Sequence, residues 1–376
     1  MVYLTSFALV DVILTVIIGI MLSIIPYMTE KSIVFGVRTP PEYRDSEVII
    51  RSRKTYVVSV LVITLILSAV QVLIIPQSFV LLLSIFPLFV VLIAFFVYLP
   101  LHYAIERTKK SENWADKSNQ SVSATFVSGR SNPFPWVYAV PGFMVLLAIF
   151  IIGIMDYNNM PQVLATHFGA NGQPNQYSAK SIGTVFFTGF LGIGLTVGMT
   201  LLAYPISISS FRVDSSSNAA LERSVIFRSR MTRMILIMPV FIDLTMMISE
   251  FEIWGLIGHV QTTLILILAP IFAMFALVLS VTLITGQAGS NLRMVSGADG
   301  APGITGYKDS IKSASTKDDD SSWRAGVIYF NKNDARFMVP KRFGVGYTLN
   351  FAHPGSIAII AAILCVPIIL ILALPH

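Results

Sequence analysis

Charge is scarce in this chain. Asp, Glu, Lys and Arg together make up 12% of its 376 residues, against roughly 25% in a soluble domain. Cysteine is nearly missing. The single thiol, Cys365, excludes an intramolecular disulfide and any metal site built on cysteines. There is no HExxH or paired-histidine spacing, no phosphate-binding glycine loop and no Ser–His–Asp arrangement. The usual marks of a metalloenzyme, a nucleotide hydrolase or a serine hydrolase are therefore missing, and we read neither a cofactor nor an enzyme activity. No basic stretch precedes the first apolar run, and that run is too long for a signal-peptide core. It reads as a retained first span.

What is abundant is apolar sequence, at 55% of residues with a mean hydropathy of +0.74. A hydrocarbon core of ~30 Å takes about 20 apolar residues as a helix. Eight stretches reach that length: Leu4–Tyr27, Thr55–Ile75, Ser78–Tyr103, Trp136–Asp156, Ile182–Pro205, Thr232–Glu252, Val260–Gly286 and Gly355–Leu374. Helix is the form expected of each, because every backbone group in lipid must find its partner within the segment. The fold expected is an all-α polytopic membrane protein with eight transmembrane helices, in the cell (plasma) membrane and of prokaryotic type.

Every Lys and Arg except Lys180 falls in four loops: 28–54, 104–135, 206–231 with Arg233 just beyond, and 287–354. These alternate with loops that carry no basic residue apart from Lys180. Basic loops stay on the cytoplasmic side, so the four are expected inside, with both termini and the loops near 76, 157–181 and 253–259 outside. The same rule accounts for the net charge of +6, which is therefore not read as direct nucleic-acid binding. Membrane lipids, above all anionic headgroups, are the partners it implies. Trp136, Trp254, Tyr27 and Tyr103 sit where interfacial anchors do.

The chain also repeats itself. Val48–Thr55 reads VIIRSRKT and Val225–Thr232 reads VIFRSRMT, six of eight positions being identical at an offset of 177. The same offset carries spans one to three onto spans five to seven. A tandem duplication of a four-span unit follows, with an insertion before the last span and the halves related as in parallel-repeat membrane proteins. On this reading residues 1–156 are the first repeat, 157–181 an outer loop, and 182–286 spans five to seven of the second. Residues 287–322 form a flexible inner linker, 323–354 a small inner module, and 355–376 the eighth span with an outer C-terminus. Arg51, Arg53, Arg228 and Arg230 are either snorkelling anchors or, with Arg38, a basic surface for a cytosolic partner or an anionic lipid.

The most distinctive stretch lies outside the membrane. Met160–Lys180 reads MPQVLATHFGANGQPNQYSAK, where Gly169, Gly172 and Pro174 make a committed turn. The pattern of Pro161, His167, Gly172, Pro174, Tyr177 and Lys180 resembles the extracytoplasmic loop of the SdpI-like membrane proteins. The GVRTP stretch at Gly36–Pro40, ahead of an Arg-rich entry to the second span, looks like a feature of the same family. The resemblance implies an immunity or signal-transduction protein that meets an external peptide or envelope signal at this loop. His167 is open to three readings: a hydrogen-bonded loop residue, a ligand contact, or a metal ligand with His259, Glu250 or Glu252.

On the inner side, Gln287–Ser322 is rich in Gly, Ser and Asp and reads as linker. Trp323–Pro354 differs. Val327–Phe330 and Phe337–Val339 look like short strands joined by turn chemistry at Asn331–Asp334, so a β-hairpin-like module is expected. The segment is similar to a short uncharacterised module appended to SdpI-like proteins. Trp323, Lys341 and Arg342 would either clamp the headgroup layer or receive a cytosolic regulatory protein. Asp11 and Asp243 lie within spans one and six, where an acid costs roughly 2.5–3.5 kcal/mol and faces a polar interior. They support an alternative, a proton- or cation-linked secondary transporter.

Overall fold

A computed structural model describes residues 2–74, 85–114, 123–127, 133–168, 174–209, 211–214, 218–257, 261–292, 311–315 and 319–361. The chain opens with α1 (Val2–Ser23) and the short α2 (Ile25–Met28). A tight hairpin, β1 (Ile33–Val34) and β2 (Val37–Arg38), then leads to α3 (Glu47–Ile74) and α4 (Phe86–Ser111). After β3 (Ser123–Val127) come α5 (Val140–Asp156), the hairpin β4 (Val163–Phe168) and β5 (Pro174–Ala179), and a helix broken at Phe186 into α6 (Ile182–Val185) and α7 (Phe187–Ile208). β6 (Phe211–Asp214) precedes the two long helices α8 (Asn218–Ile253) and α9 (Gln261–Thr285). β7 (Ile311–Ser315), β8 (Trp323–Arg324), β9 (Ile328–Tyr329), β10 (Met338–Pro340) and β11 (Tyr347–Leu349) complete the strands.

Six of these helical stretches are long and apolar enough to cross a membrane: Glu47–Leu73, Phe86–Ser111, Trp136–Asp156, Phe187–Ile208, Glu222–Ile253 and Ile265–Gly289. The architecture is thus mostly helical and multi-pass. The apolar part of α1, Val10–Ser23, is shorter. Of the expected eighth span, residues 355–361 are helical and the rest lie outside the described residues, as does the start of the expected third span. Several helices overrun the apolar stretches. α3 starts at Glu47, whose carboxylate in the first turn suits the helix dipole. α4 continues through Lys109 and Lys110, which suit its C-terminus. Arg51, Arg53, Arg228 and Arg230 therefore sit on helices and not in loops.

α1, α3 and α4 pack on one another, α5, α7 and α8 do the same, and α9 lies along α8. Gly19 brings α1 so close to α3 that a Cβ there would stand 2.1 Å from Thr64 Oγ1. Such small-residue contacts let helices meet where lipid supplies no hydrophobic drive. Leu65, Leu88, Phe96, Leu147, Leu201 and Ile265 point outward, which is the lipid side of such a bundle. β3 pairs with β6 and with β7 in one antiparallel sheet, Thr125 standing opposite Val213 and Ser313. Its strands come from three of the four basic loops, so these three share one face of the protein.

The pairing in the C-terminal module differs from the expected hairpin. β8 pairs with β9, and β10 with β11, while Tyr329 makes a bridge to Asn350. The Asn331–Asp334 turn does not join partner strands, because its polar groups are bound elsewhere. Tyr329 Oη donates to Asp334 Oδ2 at 2.7 Å, and Arg336 Nε reaches the same carboxylate at 2.9 Å. Asn350 ties the module together. Its Nδ2 donates to the carbonyls of Asn331 and Asp334, both at 2.9 Å, and its Oδ1 accepts from the backbone N–H groups of Asn331 and Ala352. That uses the full hydrogen-bonding capacity of an amide side chain.

Candidate functional site

The outer hairpin is keyed into the bundle by apolar side chains. Leu164 of β4 and Met160 just before it are buried with Trp254 at the outer end of α8, Val185 and Phe186 at the helix break, and Ile149 of α5. Trp254 Nε1 donates to the Val185 carbonyl at 3.0 Å. Lys180 donates through Nζ to the carbonyls of Tyr157 and Met160, each at 3.1 Å, and lies over the Tyr157 ring. Its charge closes the base of the hairpin. Val163 and Tyr177 are exposed, as is Pro161. Pro174 opens β5 opposite Phe168, and His167 stands opposite Gln176 at an irregularity in the register. Gly169 and Gly172 lie outside the described residues.

Below the hairpin, two acids on α8 face α7. Glu250 accepts a short hydrogen bond from Thr188 Oγ1 and one of 3.3 Å from the backbone N–H of Gly189. α7 has no side-chain cap of its own, so Glu250 supplies the acceptor that the exposed N–H groups of a helix start require. Two turns along α8, Asp243 Oδ2 accepts from Thr196 Oγ1 at 2.8 Å, while Oδ1 has no hydrogen-bond partner among the described residues. Asp243 is fully buried. Asp11 lies half-buried on α1, its backbone carbonyl accepting from Thr15 Oγ1 at 2.8 Å.

The β1–β2 turn lies in a denser arrangement. β1 and β2 are joined by Phe35 and Gly36, both with positive φ (46° and 78°), the geometry of a two-residue hairpin turn. This turn meets a second one, at Ala325 and Gly326 (φ 49° and 68°). The contact leaves no room for a side chain: a Cβ on Gly326 would lie 2.6 Å from Tyr98 Oη. Tyr98 Oη lies 3.0 Å from the Phe35 carbonyl and 2.9 Å from that of Ala325, and His102 Nδ1 lies 2.7 Å from the former. Phe343 packs against Phe35, Tyr56 and Tyr98.

Around this pair of turns gathers an ion-pair hub. Asp320 Oδ2 accepts from Lys109 Nζ at 2.6 Å, and its Oδ1 accepts a short bond from Arg342 Nη1 and a 3.3 Å bond from the Arg38 backbone N–H. Asp319 accepts from Arg38 Nε at 3.1 Å and from Arg342 Nη2 at 2.5 Å. Arg342 is 2% exposed. It also donates to the Gly36 carbonyl at 2.9 Å and lies over the Trp323 ring. Burial by itself would push the Asp320 carboxyl up, but the Arg342 guanidinium and the Lys109 ammonium overcome this and hold it below the usual carboxylate range. Burial likewise acts on Asp334, and Arg336 outweighs it in the same direction.

The far end of the module grips the second half of the chain. Met338, Val345 and Tyr347 pack against Ile206, Phe227 and Met231. Gln287, fully buried, donates from Nε2 to the carbonyls of Lys341 and Gly346 and accepts the Gly346 N–H at 2.8 Å. The repeated arginines differ in surroundings. Arg51 is exposed and Arg53 half-buried, while Arg228 is buried with Nη1 on the Ser209 carbonyl and Arg230 bonds Thr285 Oγ1 at 3.0 Å.

The structure thus gathers Arg38, Trp323 and Arg342 into one site, and Pro161, His167, Pro174, Tyr177 and Lys180 into one hairpin. Sequence reasoning missed Asp319, Asp320, Lys109, Gln287, Asn350 and Thr196. The Asp318–Asp320 run beside a Lys- and Arg-rich module was the one available signal.

Two family models match parts of the chain. Residues 144–192, from within α5 through the outer hairpin to the start of α7, match a domain of unknown function (DUF1648). Residues 332–357, which hold β10 and β11, match a family of unknown function (DUF5808). No curated protein and no solved structure matches the chain.

Proposed function

We propose that this chain is an SdpI-like immunity or signal-transduction protein of the plasma membrane, in which an external peptide or envelope signal at the outer hairpin alters what the inner module offers to a cytosolic regulatory protein. One observation carries the reading. α8 reaches both sites: Trp254 at its outer end packs with Leu164 of the hairpin, and Phe227 and Met231 near its inner end pack with Met338 and Tyr347 of the module. Its 36 residues make a rod of about 54 Å at 1.5 Å per residue. A displacement at one end is thereby felt at the other. Eight spans in a four-plus-four parallel repeat with both termini outside complete the proposal. The VIxRSRxT repeat and the alternation of basic loops support it.

The contact surfaces this reading assigns are the exposed Val163 and Tyr177 outside, and Trp323, Lys341 and the exposed Arg51 inside. The test is crosslinking of the full-length protein in its native membranes, wild type against a Val163→Ser, Tyr177→Ser variant. A cytosolic protein recovered with wild type, in an amount that the outer variant changes by several fold, supports the reading. Recovery indifferent to the outer change, or no specific cytosolic protein at all, sinks it. The transporter alternative draws on Asp243, whose Oδ1 lacks a partner inside the bundle. Proton-dependent flux into proteoliposomes that Asp243→Asn abolishes would favour it.

A further inference from the structure

We propose that Asp243 is an exchangeable proton-binding site in the middle of the membrane-spanning bundle, formed with Thr196 and walled by glycine. The proposal is independent of the signalling reading and holds whether the chain signals or transports.

Asp243 is 0% exposed. Thr196 Oγ1 donates to one carboxyl oxygen, and the other has no partner. A carboxylate withdrawn from water stays charged only with a cation or several donors beside it, and one hydroxyl supplies neither. Gly142 of α5 and Gly192 of α7 face the carboxyl, and Thr196, Leu146, Pro239 and Met246 line the same space beside those glycines, none of them titratable. The elements packed against α8 bring no counter-charge to this depth. α9 carries no titratable residue, α5 carries Asp156 at its outer end, and α7 carries Tyr204 eight residues, or about 12 Å, from Thr196. At the inner end of α8, β6 brings Arg212 and Asp214 and the turn before α5 brings Tyr138, while β4 brings His167 at the outer end. On α8 itself Glu250 is seven residues away and Arg233 ten, about 10 Å and 15 Å along the axis.

The acid form is therefore the one these surroundings accept. Since Oδ2 already receives the Thr196 proton, the acid proton belongs on Oδ1. There, among the described residues, it meets no acceptor. The proton is held because the charged form is disfavoured, not because a partner grips it, and that leaves it free to leave when a base or water arrives. Glycine lets the helices close around this oxygen. A Cβ on Gly192 would come within 3.0 Å of Oδ1 and would also stand 2.6 Å from Leu146 Cδ2, so only glycine leaves this oxygen its space. A metal or alkali ion fits poorly, since hard cations take roughly six oxygen ligands and this site offers one hydroxyl beside the carboxyl.

The experiment is infrared difference spectroscopy on the full-length protein in lipid nanodiscs, titrated with pH in light and heavy water. Wild type is expected to show the carbonyl stretch of a protonated carboxylic acid that shifts on deuteration and fades as pH is raised. Asp243→Asn should lose this band and Glu250→Gln should keep it. Thr196→Val should shift its frequency, which identifies the pair even if Asp243→Asn does not fold. A band missing from wild type, one that never fades with pH, one unchanged in Asp243→Asn or in Thr196→Val, or one removed by sodium at constant pH would each overturn the proposal.

Discussion

Asp320 has Lys109, Arg342 and the Arg38 N–H around it, whereas Asp243 has a single threonine hydroxyl. The first sits where inner loops meet, within reach of water. The second sits within a membrane-spanning helix. At the inner face the fold keeps its charges and uses them to join segments far apart in sequence. Inside the bundle it keeps an acid but supplies no ion to match it. Opposite treatment of the same side chain marks opposite tasks: Asp320 fastens, while Asp243 is left able to change state.

The sharpest way to break the comparison is to remove the cation shared by both inner aspartates. Arg342→Met leaves Asp319 and Asp320 short of a partner and frees the Gly36 carbonyl. Deleting one member of a buried pair costs about 3–5 kcal/mol, and thermal unfolding in detergent should fall accordingly. Acid should undo part of the same contribution. An unfolded aspartate titrates near 3.9, and in the folded protein Asp320 titrates lower. The hub's contribution is therefore complete above about pH 4 and is lost as pH falls through the lower folded value. Limited proteolysis of the module across that range should report it.

A smaller effect is expected where shape alone is tested. Gly326→Ala sets a methyl group against Tyr98 Oη and forces a side chain onto a positive φ, an overpacking that costs about 1–3 kcal/mol. Asp243→Asn, by contrast, keeps an acceptor for Thr196 and should change stability little, by about 1 kcal/mol or less. Parity between Asp243→Asn and Arg342→Met would erase the distinction drawn here. The weakest change is Lys110→Ala. Its bond to Glu106 lies on the surface, with the lysine side chain 73% exposed, and such pairs contribute about 0.3–0.5 kcal/mol.

Six of the eight expected spans are matched by long apolar helices among the described residues, because hydropathy and helix length are local properties. A turn within Met160–Lys180 was legible from its Gly and Pro residues, but the pairing of β4 with β5 on either side of it was not read from the sequence. The inner hub was hidden by distance along the chain. Arg38 and Asp319 are 281 residues apart, and no periodicity or motif links such positions. Asp319 and Asp320 read as linker because a run of acids beside Ser and Gly is normally solvated. Arg342 read as a headgroup or partner contact because most basic residues beside a membrane point at lipid or water. The two hairpins of the module escaped notice because turn composition at Asn331–Asp334 indicates where a chain bends, not which strands pair across the bend.

The placement of β7 and of Arg342 also bears on how the chain is made. β7 completes a sheet whose other strands lie in the loops after α4 and α7, and Arg342 emerges 306 residues after Gly36, to whose carbonyl it donates. At roughly 5–20 residues per second, synthesis of that interval takes about 15–60 s. For that time the β1–β2 turn has been made and its arginine has not. Maturation of the inner face is thus a late event, set by the ribosome's arrival at the last part of the message and not by insertion of the first helices.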